Sequence, residues 1–228
     1  MHYSVVVEGV FLERPNRFIA KVMIDGITVS AHVKNTGRCR ELLISGVTVY
    51  LEDHGKNANR KTRYSLIAVM KGDMLVNMDT QVPNQVVAEA LMAGLLSEIA
   101  VSPFVKREAK YNSSRFDIYF EDGDKKGFVE VKGVTLENDG TAMFPDAPTE
   151  RGAKHLLELI KAKEEGYDAN VFFLVQMKGP TSFTANSQMD PNFAEALEEA
   201  RLNGVNIWVY DSIVTPNSID LGKRIGSP

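Results

Sequence analysis

Over the first 80 residues, apolar and polar positions alternate in short runs separated by turn residues. "YSVVVEGVFL" gives way to "ERPN". "RFIAKVMID" and "ITVSAHVK" flank Asp25-Gly26, a dipeptide suited to a two-residue hairpin turn. "CRELLISG", closed by Gly46, reads as a short helix, and "VTVYLED", "TRYSLIAVMKG" and "MLVNMD" read as further strands. Five or six short strands with one small helix predict a small barrel, and an OB-like barrel is the first choice.

After "TQVPNQ" the period changes. "NQVVAEALMAGLLSEIA" is apolar nearly all round, which predicts a buried helix with Asn84 as its N-cap. "VKREAKY" and "SRFDIYF" read as two strands or one long bent strand, and "FVEVKGVTL" as the next. "ERGAKHLLELIKAKEEG" reads as a helix capped by Thr149 and ended at Gly166. "ANVFFLVQM" reads as a buried strand. "DPNFAEALEEARLNG" reads as a helix with Asp190 as cap, Pro191 at its first position and Gly204 as stop. "VNIWVY" closes the set. The order α-β-β-β-α-β-α-β makes the chain α/β overall, with the barrel in residues 1–80 and an α/β domain in 81–228.

The 228 residues are 44% apolar, enough for one large or two small cores. No apolar run approaches the roughly 18 residues of a membrane span, and the first residues lack a leader pattern. Cys39 is the only cysteine, which excludes an internal disulfide framework and a thiolate metal centre. A cytoplasmic protein with no membrane partner is the simplest expectation. The net charge of −4 is unevenly spread: 11 Lys and Arg face 8 Asp and Glu in residues 1–80, against 15 and 22 in the remainder. Coating of DNA by bulk charge is excluded, but a local basic face is not.

The chemistry centres on "SRFDIYFEDGDKKGFVEVK". With Gly123-Asp124 as a hairpin turn, Asp122 pairs with Lys125, Asp117 lies opposite Glu130, and Arg115 opposite Lys132. One face then carries Arg115, Asp117, Tyr119, Phe128, Glu130 and Lys132. The other carries Phe116, Ile118, Phe120, Val129 and Val131. Two adjacent carboxylates favour a proton or a cation between them, and hard divalent ions take oxygen ligands. A lysine beside such an ion orients water or stabilises charge on a phosphate. This points to metal-assisted phosphodiester hydrolysis. A bare Glu-X-Lys is common on solvated sheet faces, so the α/β context carries the weight.

Asp…Glu-X-Lys on the second and third strands of this core resembles the PD-(D/E)XK nuclease superfamily, whose fold is restriction-endonuclease-like with a mixed central sheet. More closely, "RPNRFIAKV", "HVKNTGRCRELL", "KTRYSLIAV", "VPNQVVAEAL", "SRFDIYF", "VEVKGVTL", "FPDAPTERGAKHLLEL", "FFLVQM" and "DPNFAEAL" resemble the sugar fermentation stimulation protein A family. The resemblance implies an OB fold ahead of a nuclease-like domain, DNA as partner, and a role in regulating sugar-utilisation genes. It assigns Mg²⁺ or Mn²⁺ to Asp117, Glu130 and the carbonyl of Val131, the lysine role to Lys132, and a further acid to Glu89. Phe116 stands where many members of the superfamily carry proline.

Glu89 otherwise reads as a solvent-facing carboxylate at the domain boundary. Arg151 and His155, four apart on one helix face, are candidates for phosphate contact, with Lys154 between them. Gln176 reads as a strand-end cap or a donor into the site. Arg17, Lys34, Arg38, Arg40, Lys61, Arg63 and Arg115 are candidates for nucleic-acid contact, and Lys56 and Arg60 belong to the same basic loop. Asn35-Thr36-Gly37-Arg38 reads as a turn whose amides meet phosphate. Phe18 and Tyr64 are stacking candidates, although strand aromatics more often join cores. Cys39 reads as structural. The long "GVTLENDGTAMFPDAPTERG" follows the site strand and is placed to close over DNA. Two further readings stay open: a DNA-binding regulator without catalysis, and a metal-dependent enzyme acting on small nucleotides.

Overall fold

The computed structural model describes residues 1–226 apart from 36, 56–59 and 113. Thr36 and Lys56 therefore lie outside the described residues. Six strands form the first unit: β1 (Val6–Asn16), β2 (Ile19–Ile24), β3 (Ile27–Val33), β4 (Thr48–Asp53), β5 (Tyr64–Lys71) and β6 (Met74–Asn77). They run in the order β3-β2-β1-β4-β5-β6, and a parallel pairing of β3 with β5 closes a five-stranded ring. Alternation explains its core. Ala20 and Val22 point inward from β2 while Lys21 and Met23 do not, and they meet Phe11, Val33, Leu51, Leu66 and Val69. Asp25 and Gly26 both have positive φ (50° and 78°), as the two-residue turn between β2 and β3 requires.

"CRELLISG" is not a helix but a series of turns, started by Leu42 and Leu43 bonding back to the carbonyl of Cys39. Cys39 itself has φ +45°, outside helical range. Its thiol is buried and pushed up to about 12, burial being the largest cause, so it is a packing group and not a nucleophile.

The second unit contains α1 (Pro83–Met92), β7 (Phe104–Tyr111), β8 (Ser114–Asp122), β9 (Lys125–Val134), β10 (Leu136–Asn138), β11 (Thr141–Phe144), α2 (Glu150–Glu164), β12 (Asp168–Val175), β13 (Ser182–Ala185), α3 (Pro191–Leu202), β14 (Asn206–Thr215) and β15 (Ser218–Arg224). Its main sheet runs β15-β14-β12-β9-β8-β7, with β9, β12 and β14 parallel and the outer pairs antiparallel. α1 covers one face with Val86, Val87 and Leu91 against Ile118, Phe120, Val129, Phe172 and Leu174. α2 and α3 cover the other, where Leu156, Leu159 and Phe193 meet Phe128, Val171 and Phe173. β12, covered on both sides, is buried along almost its whole length.

Thr149 accepts from the Gly152 N–H and Asp190 from the Phe193 N–H, as their cap positions predict. Other expectations need correction. α1 stops at Met92, and Ala93 and Gly94 bond back to close its last turn; Gly94 has φ +69°. Its cap position is Val82, because Pro83 takes the first turn, so Asn84 does not cap. "VNIWVY" is the start of a longer strand that turns into β15. The long segment after β9 is not a bare loop: β10 and β11 form a hairpin, and β13 joins them in a three-stranded sheet.

A buried polar seam joins the two units. The Asn77 N–H donates to the Gln176 carbonyl (2.8 Å), and the Gln176 amide donates to the carbonyls of Asn77 and Asp79 and to the Asn77 side chain. Asp79, 1% exposed, accepts from Lys34 at 2.5 Å. Residues 1–3 cross over: His2 pairs with Ser218, and the Tyr3 N–H donates to the Asn217 carbonyl. Gly133, beside this seam, has no room for a side chain; a Cβ there would lie 2.3 Å from Gln176 Oε1 and 2.8 Å from Pro83 Cγ.

Candidate active site

The β8–β9 hairpin has the register that its turn predicts, from Asp122 opposite Lys125 to Ile118 opposite Val129. There the ladder ends. In place of a strand carbonyl, Asp117 Oδ2 accepts from the Val131 N–H at 2.8 Å. The N–H and C=O of one strand residue point to the same side, so the Val131 carbonyl also faces this gap. Across on β7, Glu108 has φ +55°, and neither Glu108 nor Asp117 belongs to the β7–β8 ladder. This local distortion overturns the predicted face for Phe116. Its ring packs with Tyr111 and Phe128 on the α2 side, at centroid distances of 5.3 and 5.0 Å, away from Ile118 and Phe120.

Asp117 Oδ1 accepts from the Asn84 side-chain amide at 2.6 Å. Asn84 is thus a site residue that sequence reading assigned to a helix cap. Pro83 held the signal, since a proline at the first helical position moves the cap back to residue 82. Burial, reinforced by the charge of Glu130, pushes the Asp117 carboxyl up to about 6. The Val131 N–H, Lys132 and Asn84 oppose that rise.

Glu130 is 3% exposed, yet its carboxyl lies below the ordinary range. Burial would raise it, but Lys132 and the hydrogen bond from His155 outweigh burial. Oε1 takes both partners: Lys132 Nζ at 2.8 Å and His155 Nδ1. His155 Nε2 faces Arg151 Nε at 3.3 Å. A guanidinium only donates, so Nε2 accepts and the ring proton sits on Nδ1, toward Glu130. Glu130 Oε2 is buried and has no partner among the described residues.

α2 therefore brings His155, and Arg151 behind it, to the Glu130–Lys132 pair. Beside them opens a cleft of about 640 Å³ lined by Glu108, Lys110, Ser114, Arg115, Arg151, Lys154 and His155. Four cations against one carboxylate make it attractive to a polyanion. Arg115 makes an exposed pair with Glu108 (3.1 Å), and Lys154 sits 3.7 Å from Glu158. Lys110 was not foreseen; it sits on a strand whose register the sequence left open.

Other candidates are placed elsewhere. Glu89 does not join the cluster: its carboxylate takes the Gln85 amide (2.7 Å) and the N-terminal ammonium (3.1 Å), and these partners hold it below its ordinary value against its burial. Lys34 is turned inward and committed to Asp79, which corrects its assignment to nucleic-acid contact. Arg63 is held by both oxygens of Asp53, at 2.7 and 2.5 Å. Gln176 serves the domain seam. The Gly37 amide is taken by Asn35 Oδ1, so it is no free phosphate donor. Arg14, not foreseen, gathers the carbonyls of Arg17, Asn35, Gly37 and Arg38 and shapes a cleft with Arg17, Arg38 and Arg40. Lys61 lines a neighbouring cleft with Phe18, Ile19, His32, Arg60 and Thr62.

Two carboxylates, one carrying an unpartnered buried oxygen, and a main-chain carbonyl facing the same gap suit a hard divalent cation that takes its remaining ligands from water or phosphate. Among the described residues no three His, Cys, Asp or Glu side chains converge as a metal cage, so the carbonyl and outside ligands would have to complete the shell.

Fold and site together define a two-unit protein: a closed OB-like barrel, then a mixed sheet covered by helices, with a carboxylate–lysine cluster at a break between two strands. Residues 12–78 match the SfsA N-terminal OB domain, and residues 81–218 match the sugar fermentation stimulation protein RE domain. The chain belongs to the sugar fermentation stimulation protein family. It is 54% identical over 229 residues to a sugar fermentation stimulation protein homolog of Alkaliphilus oremlandii (strain OhILAs), covering 99% of this chain and 97% of that protein. A homolog of Desulfitobacterium hafniense (strain Y51) is 54% identical over 225 residues, with the same coverage. Among solved structures, Pyrococcus furiosus SfsA in complex with Ca²⁺ superposes with a TM-score of 0.89 at 30% identity, over 100% of this chain and 98% of that one. No helix among the described residues is long and apolar enough to cross a membrane.

Proposed function

We propose that this cytoplasmic protein binds DNA through its barrel and hydrolyses phosphodiester bonds at the Asp117–Glu130–Lys132 cluster, with Mg²⁺ or Mn²⁺ as cofactor, in the manner of PD-(D/E)XK nucleases. The observation that carries the reading is the break between β8 and β9. Asp117 reaches across that break to the Val131 N–H, on the side to which the Val131 carbonyl also points, and the preceding residue, Glu130, pairs with Lys132 and keeps a buried Oε2 without a partner among the described residues. The Ca²⁺ complex of the Pyrococcus furiosus relative supports a hard-cation site in the family. A bound divalent ion would polarise the phosphate and acidify a water. Asp117 and Glu130 would hold it, and Asn84 and the Val131 N–H keep the Asp117 carboxylate oriented. Lys132, anchored on Glu130, stands ready to position the attacking water or to stabilise negative charge on the phosphate. His155 fixes the other side of Oε1 and aims Arg151 at the cleft, where the flanking phosphates would lie.

The competing reading is a DNA-binding regulator of sugar-utilisation genes without catalysis, which the family name favours. The test is cleavage of labelled single- and double-stranded DNA in Mg²⁺, Mn²⁺ or EDTA by wild type, Lys132→Ala and Asp117→Ala. Metal-dependent cleavage lost in both variants, with binding kept, supports hydrolysis. Binding without cleavage in every metal, unaltered in the variants, leaves the regulator.

A further inference from the structure

Phe18 occupies the two-residue connection between β1 and β2, where nothing requires an aromatic, and it is 49% exposed. The Arg17 guanidinium lies 5.3 Å from its ring centroid, so a cation sits over a ring that is still half open to solvent. Two clefts flank this pair. Arg17 lines one of about 290 Å³, walled by Arg14, Arg38 and Arg40, with the Asp146 carboxylate behind Gly37. Phe18 lines the other, of about 450 Å³, with Arg60 and Lys61 from the β4–β5 connection and no carboxylate among the described residues that line it. The β1–β2 and β4–β5 loops of OB barrels are those that grip oligonucleotides.

An aromatic ring between cationic clefts suits an alternation of base and phosphate. Bases of a duplex are stacked on each other and closed to such a ring, whereas an unpaired base can lie on it. We propose that the barrel selects single-stranded nucleic acid, with an unpaired base stacked on Phe18 and the adjoining phosphates held by Arg17, Arg38 and Arg40. This rests on the barrel being the nucleic-acid-holding unit of the reading above. The loop lining the first cleft abuts the segment that leads into α2, where Asp146 packs against Gly37.

The test is fluorescence anisotropy in EDTA, where no cleavage intervenes, with a short oligothymidylate and a duplex of equal length. Phe18→Ala is expected to weaken oligothymidylate binding about 5- to 150-fold, the range of a lost base–aromatic stack, and to leave duplex binding unchanged. Phe18→Tyr should restore it. Arg38→Ala is expected to lower the log–log salt slope by about 0.7, whereas Phe18→Ala leaves the slope intact. Equal loss on both probes, or no loss on either, overturns the proposal. Cleavage in Mg²⁺ with no effect of Phe18→Ala on binding would discard this inference and keep the nuclease reading. A stacking effect in a protein that cuts nothing would do the reverse.

Discussion

Asp117→Asn should stabilise the cation-free protein at neutral pH. Burial and the neighbouring Glu130 carboxylate raise the Asp117 carboxyl from its ordinary 3.8 to about 6. Between these values the folded protein holds a proton that the unfolded chain has released. Stability from this group is therefore fully present below the ordinary value and is lost as pH rises through about 6. A shift of about two units at 1.36 kcal/mol each corresponds to about 3 kcal/mol of strain on the ionised native state. An asparagine removes the charge and keeps the shape. Its oxygen can accept from the Val131 N–H, and Asn84 can rotate its amide to accept from the new NH₂. Urea melts of both proteins in EDTA across pH 5–8 measure the effect. The variant is expected to be more stable by up to about 3 kcal/mol at the upper end, with about half of that gap left at pH 5. Adding Mg²⁺ or Ca²⁺ at one hundred times its Kd should stabilise wild type by about 2.7 kcal/mol and leave the variant nearly unmoved. A gap that does not vary with pH, or a variant weaker throughout, would refute the electrostatic account of Asp117.

Two further outcomes follow from the seam between the units. Lys34→Met strands Asp79, which is 1% exposed, and should cost about 3–5 kcal/mol in denaturant melts while leaving the salt slope of nucleic-acid binding unchanged. Gly133→Ala drives a methyl into Gln176 Oε1 and Pro83 and should lower the urea midpoint by the equivalent of about 1–3 kcal/mol; an unchanged midpoint would show that Gln176 has room to turn away.

Local chemistry made much of this protein legible before any coordinates. Asp25-Gly26 dictates a tight hairpin because both residues tolerate left-handed backbone, and Thr149 and Asp190 announce helices through the oxygen each offers to an N–H of the first turn. The register of the hairpin was readable from its turn up to Ile118 and Val129, because a slip by one residue would exchange charged and apolar faces, but the predicted pairings of Asp117 with Glu130 and of Arg115 with Lys132 fall beyond the point where the ladder ends. Relations between distant segments were not readable. Arg151 and Lys34 are both basic candidates in the sequence, yet α2 brings Arg151 to the cleft while Lys34, just past the end of β3, pairs with a buried aspartate. Phe18 and Phe116 both sit in strand-like runs of the sequence, but one falls in the β1–β2 connection, half open to solvent, and the other is buried in β8 with its ring against His155. Asn84 and Asp117 are 33 residues apart and meet only because α1 packs against the sheet where β8 and β9 part. Periodicity records which residues share a face of their own element; which face meets which neighbour is decided by how helices and sheet bury their apolar sides together.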